Sequence, residues 1–278
     1  MMRNALPANT PATTSATAMD DAISDRQALI AERVRQRGFQ TIAELAAHFE
    51  VTGQTIRRDV HELSERGILK RRHGGVELPE PGANLSFADR QILNLTAKEQ
   101  IARAALGQIP NGASLAVSIG TTPEIVVRHL THHRDMKVFT NNIMAALSAC
   151  TLPSAEVHIP GGMIRAGARD LVGPAVESFF AQYKVDIGIY GVGGVDADGG
   201  LLDFHEDEVR VREAIRLNCR KAFLLLDATK FGRAAHVRGG HIADADVVFS
   251  DYRPPQSVEA ALADAGREFV LCGAEEAA

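Results

Sequence analysis

Two groups of basic residues lie close together near the start of the chain. Arg57 and Arg58 occur in the stretch QTIRRDV, and the stretch KRRHGG begins at Lys70. Cationic side chains at this density can bind the phosphates of a nucleic acid, or they can form a solvated helix face. The elements that position them decide between these two interpretations.

The segment 26–78 has the periodicity of three helices followed by an extended basic stretch. A first helix is predicted to end at Gly38. Thr41 and Glu44 have capping-box spacing, which predicts the start of a second helix, because each side chain can satisfy a backbone donor of the other residue. After a turn at residues 51–53, a third helix is predicted to end near Gly67.

The third helix separates apolar from polar residues. Ile56, Val60 and Leu63 are predicted to point inward, and Gln54 and Thr55, near the helix start, to read base edges. Neighbouring arginines more often contact phosphates. Two short helices, a tight turn and a basic wing are typical of a winged helix-turn-helix. The predicted DNA-binding residues are Thr52, Gln54, Thr55, Arg57, Arg58, His61, Lys70, Arg71, Arg72 and His73.

Charge is distributed unevenly along the 278 residues, a length that favours two domains. Residues 26–74 hold 10 Lys or Arg and 6 Asp or Glu, whereas the remainder holds 20 and 29. Only the first unit is therefore expected to meet a polyanion. Three widely spaced cysteines and the lack of an apolar run long enough to span a membrane predict a reduced, cytoplasmic protein.

The remaining chain divides into a tail, a linker and a second domain. Residues 1–25, rich in Ala, Thr and Pro, are predicted to be a disordered tail, and residues 79–95 a linker. Strands and helices alternate over 96–278, which predicts an α/β domain with a mainly parallel sheet. Thr96 and Glu99 predict a capping box at its first helix. The predicted strands are Ser114–Ser118, Lys137–Thr140, Ala155–Ile159, Asp186–Tyr190, Ala222–Leu226 and Ala245–Ser250, with helices near 123–131, 142–150, 175–183 and 206–218.

The sequence SIGTTPE has the features of an anion site. A strand ends at Ser118, Gly120 permits a tight turn, Thr122 can cap a helix, and Pro123 suits its first position. Free backbone N–H groups and the helix dipole then attract a negative group such as a phosphate. A helix that is merely capped is the alternative.

Further polar clusters follow other strands, at the edge where open α/β sheets bind ligands. Gly191 to Gly194 resembles a dinucleotide-binding fingerprint, but a turn sequence follows where that fingerprint needs a helix, so a nicotinamide site is rejected. Neither a metal site nor a catalytic residue is predicted. The predicted effector-binding residues are Gly120, Thr121, Thr122, Asn141, Asn142, Gly161, Gly162, Arg165, Gly193, Asp203, Glu208 and Lys230.

The segment IAELAAHFEVTGQTIRRDVHELSERGILKRRHGG resembles the DNA-binding domain of DeoR-family bacterial repressors. Gly-Thr-Thr at 120–122, Thr-Asn-Asn at 140–142, Gly-Gly-x-x-Arg at 161–165, Leu-Val-Gly at 171–173 and Asp-Ala-Thr-Lys-Phe at 227–231 resemble the family's sensor domain. The resemblance implies a winged helix-turn-helix domain followed by a sensor domain similar in fold to ribose-5-phosphate isomerase, which binds phosphorylated sugars or related metabolites.

Residues 25–272 are most similar to family members that respond to glycerol 3-phosphate, through stretches such as IPNGASLAVSIGTTPE and GLLDFHEDEVRVREAI. This implies a repressor of glycerol metabolism genes that binds double-stranded operator DNA as a homo-oligomer, a dimer or a tetramer, needs no cofactor, and is released by glycerol 3-phosphate. Response to another sugar phosphate is one alternative. A sugar-phosphate isomerase is another, but GGLLDFHEDEV lacks the lysine that those enzymes carry at the corresponding segment.

Overall fold

The computed structural model describes residues 23–79 and 85–273, and residues 1–22 of the predicted tail lie outside this part of the chain. The tail prediction is wrong at its end. Ile23 is buried, and Ser24 and Gln27 form a capping box for the first helix, because each bonds the backbone N–H of the other.

The first domain has the predicted winged helix-turn-helix order, and the Thr41–Glu44 capping box is present. Its core contains Ile30, Leu45 and Ile56. A short strand before the second helix joins the two wing strands in the order β1-β3-β2. The elements are α1 (Asp25–Arg37), β1 (Gln40–Thr41), α2 (Ile42–His48), α3 (Gly53–Glu65), β2 (Lys70–Arg72) and β3 (Gly75–Glu77).

The predicted linker contains a helix, α4 (Phe87–Ile92), and residues 80–84 of that linker lie outside the described residues. Ser86 caps α4 by accepting a hydrogen bond from the backbone N–H of Asp89. Phe87 is fully buried. The helix is stabilised by packing against both domains. These contacts join residues that are distant in sequence, so local sequence patterns do not reveal them.

The second domain is built on a seven-stranded parallel sheet in the order β15-β14-β12-β9-β4-β5-β6. Helices cover both faces, and two apolar cores lie between them and the sheet. All six predicted strands are present. The large-sheet strands are β4 (Ser114–Val117), β5 (Lys137–Thr140), β6 (Glu156–His158), β9 (Val185–Tyr190), β12 (Cys219–Leu226), β14 (Val247–Ser250) and β15 (Glu268–Leu271).

The helices of this domain and two small antiparallel sheets complete the fold. The predicted turn at residues 196–199 connects two strands of the small sheet β10-β11-β13. The elements are α5 (Leu95–Leu106), α6 (Thr121–Arg128), α7 (Ile143–Ala149), β7 (Ile164–Arg165), β8 (Asp170–Leu171), α8 (Pro174–Ala181), β10 (Gly194–Val195), β11 (Gly200–Asp203), α9 (Glu206–Leu217), β13 (Val237–His241) and α10 (Gln256–Asp264). Within residues 23–79 and 85–273, no helix has the length and apolar character needed to cross a membrane.

The strand order reverses between β4 and β9. From β4 the chain proceeds through β5 and β6 on one side, and from β9 through β12, β14 and β15 on the other. The connections that leave β4 and β9 therefore diverge, which opens a crevice at the carboxyl ends of these two strands. Any ligand site of the sheet is expected there.

Candidate functional site

The third helix and the wing present one basic surface. Ile56, Val60 and Leu63 are buried, as predicted, and the predicted DNA-binding side chains lie on the opposite side. Arg58 pairs with Glu62 at 3.2 Å, and both side chains are largely open to solvent, so the pair adds little stability. The exposed residues of the surface are Thr52, Gln54, Arg57, Arg58, His61, Arg71, Arg72 and His73, whereas Thr55 and Lys70 are half-buried.

Arg57 lies beside the wing. A groove of ≈ 190 Å³ runs between α3 and the wing, and Arg57, Arg71 and Arg72 all line it. Guanidinium groups that meet in one groove suit a phosphate of the DNA backbone. Thr52 has a structural role as well, because its hydroxyl caps α3 by accepting the N–H of Thr55 at 3.2 Å.

Asp59, within QTIRRDV, has a structural role that sequence reasoning missed. Its carboxylate is buried and accepts two hydrogen bonds from Arg26 of α1, at 2.7 and 3.1 Å. The ion pair fixes the third helix to the first. Its sequence signal is the spacing, since Asp59 lies three residues after Ile56 and therefore falls on the buried face.

The crevice between β4 and β9 encloses ≈ 480 Å³. The loop after β4 and the loop after β9 form two of its walls, as expected from the switch in strand order. Seven of the twelve predicted effector-binding residues line it, and they are Gly120, Thr121, Thr122, Gly193, Asp203, Glu208 and Lys230.

The start of α6 faces this crevice. Gly120 has φ 118° and ψ 162°, a conformation open to glycine alone, and among the described residues no side chain caps the helix. The prediction that Thr122 caps α6 is wrong, because the sharp turn at Gly120 lets the helix begin at Thr121, two residues before the predicted first position at Pro123. The N–H groups of the first turn are consequently available to an anion.

Asn141 and Asn142 do not line the crevice; they support the loop beside it. Asn142 donates to the backbone oxygen of Gly120 at 2.9 Å, while its own side-chain oxygen caps α7. Asn141 is fully buried and donates to the oxygen of Leu171 at 2.7 Å. Both amides therefore hold backbone, and the structure does not bring them to a ligand.

Gly161, Gly162 and Arg165 also lie outside the crevice, where both glycines are exposed. Arg165 pairs with Asp170 at 2.7 Å and with Glu208 at 2.9 Å. It reaches the site only through Glu208, which lines the crevice. The prediction grouped these residues because they follow a strand, but that strand, β6, is at the sheet edge and far from the switch point.

Asp203 lines the crevice, but its carboxylate is already engaged. It accepts from the N–H of Gly193 at 2.8 Å and from Arg212 at 3.2 Å. Burial raises the pKa of Asp203, and Arg212 opposes that rise. Its main effect is to position the Gly193 loop.

Two amines lie in the crevice beside one carboxylate. Burial lowers the pKa of Lys230 to about 8, although Asp227 favours the charged form. Lys98, missed from the sequence, is buried, and burial lowers its pKa to about 7. Its amine donates to the backbone oxygen of Leu93 at 2.6 Å and to that of Arg90. Burial of Asp227 disfavours its ionisation, but Lys230 and Lys98 lower its pKa below the usual value.

A sequence signal for Lys98 exists. Lys98 lies three and four residues before Ile101 and Ala102, on the buried face of α5. The predicted Thr96–Glu99 capping box at this helix is wrong, because α5 begins at Leu95 and Asn94 adopts a left-handed conformation. The Asn94 amide points to Asp227 and Thr229, at 3.4 and 3.5 Å, so a tertiary contact sets the helix start.

The crevice is also lined by the DNA-binding domain. Glu32 and Arg35 of α1, which pair with each other, and Ile68 after α3 contribute to its wall. Arg90 of α4 and Arg233 add two further cations. The arrangement is a pocket between two domains in which several cationic side chains lie near the buried carboxylates of Asp203 and Asp227, and it suits a small anionic ligand.

Two family models match the chain. The DeoR-like helix-turn-helix domain matches residues 26–81, and the DeoR C terminal sensor domain matches residues 93–252. The chain belongs to the DeoR family.

DeoR-family relatives match nearly the whole chain. The glycerol-3-phosphate regulon repressor of Escherichia coli (strain K12) is 40% identical over 87% of this chain and 96% of its own. The protein of the same name from Haemophilus influenzae is 36% identical over 89% of this chain and 96% of its own. A ribose 5-phosphate isomerase of Methanocaldococcus jannaschii aligns with 50% of this chain and 56% of its own, with 15% identity and TM-score 0.36.

Membership in the DeoR family confirms the predicted organisation and class. The chain is a DNA-binding transcriptional regulator with a sensor domain, and not an enzyme, as the sequence indicated. The basic surface of α3 and the wing belongs to the matched DNA-binding domain, and the crevice lies in the matched sensor domain and its border with α1.

Proposed function

We propose that the chain represses genes of glycerol and glycerol 3-phosphate metabolism, and that glycerol 3-phosphate in the crevice releases it from operator DNA. One observation carries the proposal: the uncapped start of α6 and the amines of Lys98 and Lys230 line the same pocket. The relatives that are 40% and 36% identical and are named for the glycerol-3-phosphate regulon support this ligand.

The chemistry of the pocket suggests how the ligand lies. A phosphate at Gly120–Thr122 takes the free N–H groups of α6 and pairs with Lys230. Its glycerol hydroxyls face Glu208 and the Gly193 loop, where carboxylate and backbone oxygens accept hydrogen bonds. The proposal involves no cofactor and no metal ion.

Release from DNA requires that the ligand bind one conformation better than another. Moving a two-state protein from 99% bound to 1% bound takes a difference in affinity of about 10⁴-fold, or about 5.5 kcal/mol. A dianion that contacts Lys98, Lys230 and the start of α6 in only one of the two conformations supplies such a difference, since each charge-assisted hydrogen bond contributes about 1.5–3 kcal/mol.

A thermal-shift screen of phosphorylated three- to six-carbon metabolites tests the ligand. A compound that binds the folded chain raises its melting temperature by mass action. Glycerol 3-phosphate at millimolar concentration is expected to give a shift that glycerol does not. If no shift appears, the glycerol 3-phosphate assignment is wrong.

A larger sugar phosphate is the second candidate. A crevice of ≈ 480 Å³ has room beyond what a three-carbon phosphate fills. In the same screen, a hexose phosphate that shifts the melting temperature at lower concentration than glycerol 3-phosphate would favour this candidate and would leave the repressor assignment in place.

We infer further that the protein acts in the cytoplasm, where its operator is, as a homo-oligomer, a dimer or a tetramer. The edge strand β6 leads into a segment with exposed apolar side chains, in which Ile159 is 52%, Met163 82% and Ile164 54% exposed. Such a cluster suits contact with a second copy. Light scattering is expected to give an oligomer for the natural chain and a smaller species for Met163→Glu; an unchanged mass would remove this surface from the interface.

A further inference from the structure

Helix α4 lies between the two domains and contacts both. Leu85, Ile92 and Leu93 pack on the core of the DNA-binding domain. On the other side, the N–H of Phe87 donates to the oxygen of Gly167 at 2.9 Å, and Arg169 lies over the Phe87 ring. A six-residue helix with such contacts is expected to move with its neighbours as a rigid body.

One side chain of α4 enters the effector pocket. Arg90 lines the crevice, and its Nε atom is buried with no hydrogen-bond partner among the described residues. A buried donor without a partner is destabilising, more so when it is charged, so it is uncommon unless a ligand or an ordered water satisfies it. Burial also lowers the pKa of Arg90, although Glu208 favours its charged form.

The neighbouring side chain of α4 points to α3, which carries the predicted base-reading residues and is called the recognition helix from here on. Asp89 is buried and accepts a hydrogen bond from Arg66 at 2.8 Å. Arg66 occupies the carboxyl-terminal cap of α3. Ser86 donates to the other oxygen of Asp89 at 2.6 Å and fixes the carboxylate on α4. Two consecutive residues of one short helix thus reach the pocket and the end of the helix that faces DNA.

We propose that Arg90 binds the phosphate of the effector, and that α4 transmits this contact to the recognition helix through the Asp89–Arg66 pair. Ligand in the pocket draws Arg90 inward. Because α4 is packed as a unit, Asp89 moves with it and shifts the end of α3, which changes how that helix meets DNA. The proposal rests on the proposed function, since it assigns a further residue and a coupling route to the same pocket.

The first test measures effector affinity in the full chain by calorimetry, with glycerol 3-phosphate and, in parallel, inorganic phosphate. Arg90→Ala is expected to weaken both by roughly ten- to hundredfold, the usual effect of removing a hydrogen bond to a charged group. Arg90→Lys keeps the charge, so its affinities for both compounds are expected to lie between those of the natural chain and those of Arg90→Ala. Arg103→Ala, which removes an exposed arginine of α5, is the matched control and is expected to bind as the natural chain does.

The second test separates binding from coupling. We define the coupling factor as the operator dissociation constant with saturating effector divided by the constant without it. Asp89→Asn is expected to bind effector and operator separately within a few-fold of the natural chain, but with a coupling factor close to one. Circular dichroism and thermal unfolding identify variants that are folded, and Arg66→Gln repeats the test from the other side of the pair.

The outcomes distinguish the two proposals. If the natural chain binds neither phosphate compound, the proposed function and this inference both fail. If the natural chain binds them and folded Arg90→Ala and Arg90→Lys bind equally well, Arg90 is not a ligand contact and only the inference fails. An unchanged coupling factor in folded Asp89→Asn and Arg66→Gln would exclude the route through this ion pair.

Discussion

At the scale of single residues, burial opposes the positive charge of both lysines in the pocket. Lys98 and Lys230 share one buried carboxylate, Asp227, and burial disfavours the charged form of both amines. A phosphate dianion beside these amines favours their charged forms. Ligand binding is therefore expected to raise the pKa of both lysines, so that their protonation depends on whether the pocket is occupied.

Lys230→Ala is predicted to abolish effector response and to leave operator binding without effector unchanged. The substitution removes a cation from the pocket and none from the basic surface of α3 and the wing. Fluorescence anisotropy of a labelled operator, titrated with effector, provides the measurement. Lys137→Ala is the control, because Lys137 is exposed at the amino-terminal end of β5, whereas the crevice lies at the carboxyl ends of the strands. Full release of Lys230→Ala by effector would place the phosphate elsewhere.

Effector affinity is predicted to fall as the pH rises from 7 to 9. The pKa of Lys98 is about 7 and that of Lys230 about 8, so the empty pocket loses protons across this range. A phosphate ester is already a dianion above its second pKa of about 6. Binding then requires proton uptake and weakens by up to about tenfold per pH unit for each titrating lysine. Calorimetry in buffers of different ionisation enthalpy detects the uptake.

The same lowered pKa values give this experiment an internal check. Above pH 7 the unfolded chain holds more protons on these lysines than the folded chain does, so their contribution makes the empty protein more stable as the pH rises to 9. Weaker effector binding over this range is therefore not a sign of unfolding. An affinity that does not change with pH would show that neither lysine contacts the phosphate.

Residue patterns identified seven of the residues that line the pocket but missed Lys98 and Arg90. Gly120, Gly193 and Lys230 follow parallel strands, and strand ends are visible in the sequence as the ends of apolar runs. Lys98 and Arg90 come from helices and reach the pocket through packing. Asn142 follows a strand and is therefore predicted to bind the ligand, but its amide donates to the backbone oxygen of Gly120. Which way a polar side chain points depends on neighbours distant in sequence.

At the scale of elements, effector binding is assigned to the strand ends where the order reverses between β4 and β9, and DNA binding is assigned to the recognition helix. The loop at Gly120 requires a glycine, because a Cβ there would lie 3.3 Å from Pro123 Cδ and the backbone has φ 118°. Strained backbone of this kind costs about 1–3 kcal/mol for other residues.

Gly120→Ala is therefore predicted to lower the free energy of unfolding by about 1–3 kcal/mol and to reduce effector affinity. Gly161→Ala is the matched control, since among the described residues, apart from its two chain neighbours, no atom lies within 4 Å of a Cβ built at Gly161. It also tests the prediction that Gly161 binds effector, for which the structure gives no contact with the crevice. Urea unfolding and calorimetry give both quantities. Equal behaviour of the two variants would contradict the assignment of the phosphate to α6.

Arg57→Ala is predicted to weaken operator binding and to reduce its salt dependence. Arg57 shares a groove with the wing arginines Arg71 and Arg72, so its loss removes about one phosphate contact. The slope of log affinity against log salt is expected to decrease by about 0.9. Arg253→Ala, on an exposed arginine of the sensor domain, should leave the slope unchanged. An unchanged slope in Arg57→Ala would contradict this docking surface.

Elements were predictable where local patterns and tertiary contacts agree. The strands β4, β5, β9 and β12 are apolar runs bounded by polar residues, and the recognition helix has a capped start and a clear buried side. Helix α4 was missed because its short pattern lies among linker residues and its stability comes from packing between domains. The start of α5 was misplaced because Asn94 contacts Asp227 and Thr229.

At the scale of the whole molecule, the two domains share the pocket. Glu32 and Arg35 of α1 line the same crevice as Lys230, so a ligand there can alter the placement of the DNA-binding domain directly. The charge asymmetry along the chain predicted which domain meets DNA, but it could not show that this domain also forms a wall of the ligand site. That relation depends on docking between domains, which leaves no periodic pattern in the sequence.

We propose that a phosphorylated ligand in this pocket controls the DNA binding of the whole molecule. The most direct measurement is the operator dissociation constant as a function of glycerol 3-phosphate concentration. The operator is a DNA duplex obtained by selection for binding to this protein, and glycerol is the control ligand. Glycerol 3-phosphate is expected to raise this constant by at least tenfold in the natural chain, whereas glycerol is not, and Lys230→Ala is expected to respond to neither. An operator affinity unaffected by glycerol 3-phosphate, or lowered equally in Lys230→Ala, would exclude control of DNA binding through this pocket.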